Sequence, residues 1–370
     1  MSSIRLVRIA LACSLVVACS SQRPAGTTGA SAASSVANDP VPDPSSSAAN
    51  VAPVALVDPA APATLDEEAP SFDEVVGVLF ADRASHASVV TTACPSTLPS
   101  DARLRCLFDE RYRGDAKSAS LAHELFVKWR IVAGVDVAHT MNGGYRGMIR
   151  IEPALPVAAE RKHIEWIVAA MRDFDQFFVE LAQRAPSAED PSRLRPKTYR
   201  FKPITLRFMR SVAARTPSAY AHDWTVAWNL SGSLHTSADA ARETLFHEIF
   251  HLNDFAHPRP GGTAWSLDAL GSTFDAVVKK CKTATPCLAP YSPNDTIVRG
   301  GTYYSFQPGN GVREYAAELA LRYYREQRAV LRSLPKPKAF KCGPPENARA
   351  WGLMRDEFFG GVDLVPACGS

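Results

Sequence analysis

The sequence predicts an α+β domain, mainly helical, with a small sheet ahead of a central helix. Three observations carry that expectation. Apolar residues recur at helical spacing over residues 157–185 and 312–331. Strand-like alternation is confined to residues 199–209 and an extended stretch at 220–230. A third apolar helical segment, starting near Thr236, follows those strands directly.

Ahead of the domain, the chain reads as an export segment and a linker. Arg5 and Arg8 supply a positive start, and residues 9–18 are apolar but too few to span a bilayer, which takes about 20. Val16-Val17-Ala18-Cys19 resembles the bacterial lipobox. That resemblance implies a signal peptide over residues 1–18, a lipid on Cys19 and a membrane anchor through it. Ser20, standing where Asp would favour inner-membrane retention, points to an outer-membrane address. Residues 19–70 are rich in Ser, Ala and Pro and cannot bury enough surface to offset ordering, so a disordered tether is expected. Residues 71–370, about 300 in all, suffice for one large domain.

The formal net charge is +3, and losing Arg5 and Arg8 with the signal leaves about +1. No basic run or repeated aromatic platform is present, which argues against nucleic acid as a partner. Beyond Cys13 and Cys19, six cysteines remain, an even number that suits disulfides in an exported protein. Proximity along the chain favours Cys94–Cys106, Cys281–Cys287 and Cys342–Cys368. No Cys-x-x-Cys occurs, so the cysteines do not suggest a metal site.

In chain order, residues 72–80 suggest a short helix or strand, and residues 118–132 a helix with His123-Glu124 on its surface. Residues 157–185 form a long amphipathic helix through Ile164, Ile167, Val168, Met171, Phe174, Phe178 and Leu181. Thr236-Ser237-Ala238-Asp239 is a variant capping box opening a helix that should stop near Asp254 or Phe255. Residues 312–331 form a further helix, and Lys336-Pro337 with Cys342-Gly343-Pro344-Pro345 should end regular structure.

The chemistry concentrates in His247-Glu248-Ile249-Phe250-His251. Residues four apart share a helix face about 6 Å apart, so both imidazoles can reach one ion at zinc's bond length of about 2.0–2.1 Å. Glu248 lies about 100° round the helix, able to reach a water without being a ligand. Asp254 sits seven residues after His247, about 10 Å along the axis, and suits an outer role orienting His251 or the helix end. A carboxylate from a second helix would complete the set, with Glu314 the first choice and Glu318 its competitor.

His247-Glu248-x-x-His251-x-x-Asp254 followed by Glu314-Tyr315-Ala316-Ala317-Glu318 resembles the lethal-factor-like metallopeptidases, over about a quarter of the chain (residues 236–324). The resemblance implies a zincin-like fold, Zn2+ held by His247, His251 and Glu314, Glu248 as general base, and Glu318 as an outer carboxylate. It also implies hydrolysis of protein or peptide substrates outside the cytoplasm. The family places an oxyanion-stabilising tyrosine seven residues before the ligand glutamate, where this chain has Gln307; Tyr303 and Tyr304 lie slightly upstream. Residues 224–228 are extended and could pair with substrate as an edge strand, or pack as core. The alternative function is a non-catalytic surface lipoprotein that keeps the fold for binding.

Overall fold

Helix α1 (Phe72–Leu79) begins at a capping box in which Ser71 Oγ accepts from Glu74 N–H and the Glu74 carboxylate accepts from Ser71 N–H. It is the first element of a computed structural model that describes residues 69–83, 86–143, 147–184, 202–256, 264–298, 300–335 and 337–369. The signal peptide, Cys19 and all but the last two residues of the tether lie outside those residues. Among the described residues, no helix is long and apolar enough to cross a membrane.

The fold is a mixed α/β arrangement, helix-rich as the spacing predicts. Helices α2 (Ser100–Arg111) and α3 (Ala116–Trp129) lead into strands β1 (Val132–Val135), β2 (His139–Asn142) and β3 (Met148–Pro153). The long helix α4 (Arg161–Gln183) follows, then β4 (Thr205–Ser211), β5 (Ala219–His222) and β6 (Thr225–Asn229). The remaining helices are α5 (Ala238–Ala256), α6 (Trp265–Cys281), α7 (Thr285–Leu288), α8 (Gly311–Leu331) and α9 (Pro345–Phe358). Helix α9 overturns the expectation that regular structure stops at Pro344-Pro345. Proline lacks an N–H to donate, which costs nothing in a helix's first turn, so the pair starts a helix.

All six strands form one sheet in the order β2-β3-β4-β6-β5, with β1 parallel to β4 beside β3. Strand β6 is parallel to β4 on one side and antiparallel to β5 on the other. All five β6 residues are buried. The extended stretch at 220–230 is therefore a hairpin rather than one strand, and residues 224–228 are not a sheet edge. Asp223 and Trp224 at its turn both have positive φ, the twist a two-residue hairpin needs, with no glycine to announce it. Gly134 on β1 is required by packing: a Cβ there would lie 2.2 Å from the Val78 carbonyl oxygen of α1.

Helix α4 buries the whole predicted stripe, from Ile164 to Leu181. Asp115 caps α3 by accepting from Ser118 N–H, and also accepts from Ala158 N–H and Arg161, joining the starts of α3 and α4. Against the cost of burial, those donors hold its carboxyl well below the usual range. The three cysteine pairs read from the sequence are disulfides: Cys94–Cys106, Cys281–Cys287 and Cys342–Cys368.

Two buried histidines sit where α4 meets the β6–α5 connection. His163 and His235 are 1 and 7 % exposed. The Trp228 indole N–H donates to His163 Nδ1 at 3.2 Å, and the His235 ring stacks on Trp228 with centroids 3.9 Å apart. Burial pushes their pKa values down to about 4 and about 3, although Glu160 lies 3.3 Å from His163 Nε2 and opposes the first shift. The unfolded chain binds protons on both below about pH 6.5, while the folded chain keeps them neutral to about pH 4. Stability from this pair is complete above pH 6.5 and is lost as pH falls towards 4, by on the order of a few kcal/mol. His235→Phe keeps a stacked ring and removes one proton site. It should lower neutral-pH stability by about 1 kcal/mol, through loss of the His235 hydrogen bond to the Asn229 carbonyl, which keeps the Gly232 N–H, yet flatten the decline in urea midpoint between pH 6.5 and 4. Parallel pH profiles for variant and wild type would overturn this account.

Candidate metal centre

Helix α5 is capped by Ser237, whose Oγ accepts from Ala240 N–H at 3.1 Å. The cap is thus one residue later than the Thr236 box, and the helix runs to Ala256. Leu245, Phe246, Ile249, Phe250 and Leu252 are buried, so α5 is enclosed on its apolar faces. Helix α8 packs across it, with the Phe246 and Tyr324 rings stacked at 4.5 Å and Phe174 of α4 edge-on to both. Asp173 of α4 accepts from Tyr324, Arg328 and Arg332, with Arg242 of α5 3.8 Å away. That part-buried charge cluster links α4, α5 and α8 to one another.

The crossing brings His247, His251 and Glu314 together, each with one ligand atom within 4.8 Å of the others. The two Nε2 atoms are 3.1 Å apart, and Glu314 oxygens lie 3.2 Å from His247 Nε2 and 3.5 Å from His251 Nε2. A tetrahedral ion with bonds of about 2.0–2.1 Å sets its ligand atoms about 3.3–3.4 Å apart. The three separations, of which His247 is measured to Glu314 Oε2 and His251 to Glu314 Oε1, lie close to that figure, and the group could hold a metal ion.

Donor chemistry points the same way. Glu318 Oε1 lies 3.1 Å from His247 Nδ1, the opposite side of the ring from Glu314. An ionised carboxylate only accepts, so Nδ1 carries a proton and donates to Glu318. The Nε2 lone pair of the neutral ring then faces Glu314, whose Oε2 already accepts from the Tyr304 hydroxyl at 2.7 Å. A cation, proton or metal, must stand between them. Burial works against charge on His247, but the Glu314 and Glu318 carboxylates hold its pKa well above the usual imidazole range. Burial also opposes the charge on Glu314, while His251 and His247 hold that carboxyl well below its usual range. A metal entering here displaces a proton, so its affinity falls as pH falls.

The other residues expected at the site separate. Glu248 is 6 % exposed, and burial raises its pKa although His247 and His251 pull it back. Tyr304 lies on a short 3-10 turn at 304–306, its ring 6.3 Å from that of His247. Burial and the neighbouring Glu314 raise its pKa well above the ordinary value, so it stays a neutral donor. Tyr303 instead packs against the core and bridges to Ile297. Asp254 is fully buried, and its two oxygens accept from Ser266 N–H and Oγ at 2.7 and 2.6 Å. It therefore holds the first turn of α6. Burial raises its carboxyl, with the Ser266 bonds opposing.

Asn294, Arg325 and Asp173 support the site and have no local signature in the sequence. They are found only through contacts between segments far apart in the chain. Comparison with known proteins gives no matching family model, no similar curated protein and no similar solved structure.

Elemental analysis tests the ligand set. Wild type should carry about one metal per chain, and His247→Ala, His251→Ala and Glu314→Ala should each lose it. Glu318→Ala should keep the stoichiometry and bind about 10–100-fold more weakly. Loss of stoichiometric metal in the Glu318 variant, with Glu314→Ala still loaded, would reverse the assignment.

Proposed function

We propose that this chain is a zinc-dependent endopeptidase acting on proteins or peptides outside the cytoplasm, held to a membrane, in the bacterial envelope, by a lipid on Cys19. The observation that carries the proposal is the His247–His251–Glu314 triangle, with its 3.1–3.5 Å edges and a buried Glu248 on the same helix. Nitrogen and carboxylate donors in this number suit zinc with one position left open. The likeness to lethal-factor-like metallopeptidases is part of the same proposal and rests on these residues. Three disulfides support an oxidising compartment.

A zinc ion held by these residues would supply Lewis acidity and a water that ionises near neutral pH. Glu248 takes the proton of the attacking water as its oxygen bonds to the scissile carbonyl carbon. The same carboxyl then gives that proton to the departing amine nitrogen as the C–N bond breaks. Its raised pKa suits both steps, since a base must also become an effective acid. Tyr304, neutral and already donating to Glu314, is placed to donate to the oxyanion formed on the carbonyl oxygen.

Strand β5 supports a peptide substrate. It pairs with β6 on one side and has no strand on its outer side among the described residues. It also packs along α5, so an extended chain added there would run beside the two histidines' helix.

Glu248→Gln should keep the metal and lower cleavage of a fluorogenic peptide library by at least about 10²-fold. Tyr304→Phe should also keep the metal and lower kcat by about 10²-fold, with less effect on KM. If wild type and Glu248→Gln, both metal-loaded, are equally inert across the library, the enzyme proposal falls and the binding-module alternative takes its place.

A further inference from the structure

We propose that Asn294 and Arg325 are positioning residues that act through Glu318 to fix the ring orientation and tautomer of His247. The inference rests on the metal centre proposed above. A continuous chain of hydrogen bonds leads from one face of α5 out through α8 and a loop, and back to the metal ligand. His247 Nδ1 lies 3.1 Å from Glu318 Oε1, within reach for a proton on that nitrogen, and the other Glu318 oxygen accepts from the Asn294 amide. Asn294 Oδ1 accepts in turn from Arg325. The Arg325 guanidinium forks onto Glu243 of α5, with Nε donating to Oε1 at 2.7 Å and a second N–H to Oε2.

Chemistry fixes the direction of every link. Arg325 only donates and the Glu318 carboxylate only accepts, so the residue between them must do both on one side chain. Asn294 does this with its oxygen towards Arg325 and its nitrogen towards Glu318. Held from the far side, Glu318 presents its free oxygen to His247 in one place. That obliges the imidazole to carry its proton on Nδ1 and aim the Nε2 lone pair into the triangle. Asn294 is itself held, 6 % exposed, in a loop closed by Ser292 Oγ donating to its carbonyl oxygen at 2.6 Å and by Tyr304 N–H donating to the Thr296 carbonyl at 2.9 Å. Asn294 is thus anchored independently of the ligands it serves, as a positioning residue must be.

Zinc affinity of the full-length chain, measured by competition with a chromophoric chelator, tests the proposal as a double-mutant cycle. Asn294→Ala should weaken zinc binding about 10–100-fold, while in a Glu318→Ala background the same change should have almost no further effect. Arg325→Met, more distant from the ligands, should weaken binding less and be silent in the same background. It keeps the test open should Asn294→Ala fold poorly, which the melting temperature of the zinc-free protein reports. Unchanged affinity in Asn294→Ala and Arg325→Met, or losses that add to that of Glu318→Ala, would overturn the proposal. A wild type that binds no zinc would instead overturn the metal centre on which it rests.

Discussion

Electron-rich atoms do not stay within 3.5 Å of one another in a buried cleft unless a proton or a metal ion lies between them. His247 Nε2, His251 Nε2 and the Glu314 carboxylate are such atoms, and much of the surrounding structure resists their separation. A metal position is useful only if its ligands hold within about half an ångström, and two crossing helices alone are too compliant for that. The added stiffness comes from the stacked Phe246 and Tyr324 rings at the crossing and from the Asp173 cluster that fastens α4, α5 and α8. The part-buried Asp173 charge has several guanidinium partners, so its loss would leave neighbouring arginines without their shared acceptor. Such a cluster resists rearrangement more than it adds net stability.

Helix α8 places two carboxylates one turn apart on the same face, and that spacing divides their roles. Glu314 meets the Nε2 side of His247 and Glu318 meets the Nδ1 side, so one imidazole lies between two acids. The acid on Nδ1 decides which nitrogen carries the proton. The acid on Nε2 is then free to share a cation with the ring. Neither carboxylate could do both jobs, because an imidazole's two nitrogens point to opposite sides.

The readable parts of the sequence are those where covalent spacing turns into spatial spacing without help. The two histidines are four residues apart on a helix, and the helical period alone puts them side by side. The disulfides close short loops between cysteines adjacent in the cysteine order, so proximity along the chain selected them. The apolar stripe of α4 is long enough to be unambiguous. Strand β6 was obscured because burial on both faces replaces alternation with a continuous apolar run. The Asp223–Trp224 turn joined β5 and β6 into one apparent segment, since no glycine marks its positive φ values. Asp254 accepts from Ser266, twelve residues on, a contact that no periodicity encodes, and also interacts electrostatically with His251. Asn294 is the extreme case: its significance arises only when a loop, α5 and α8 meet.

None of the three cross-links joins α5 to α8, the two helices that carry the candidate metal ligands, and that has a physical consequence. Cys281–Cys287 ties the end of α6 to α7, Cys342–Cys368 joins the approach to α9 with the end of the chain, and Cys94–Cys106 fastens α2 to the segment before it. Loops of such lengths restrict the unfolded chain by on the order of 2–4 kcal/mol each, without directly tying α5 to α8. Geometry at the ligands is instead set by aromatic packing and directional hydrogen bonds, which hold positions to tenths of an ångström where a loop closure limits only reach. Resistance of the chain to unfolding and accuracy at the site are therefore supplied by different interactions. Either can vary in strength without displacing the two histidines and the glutamate.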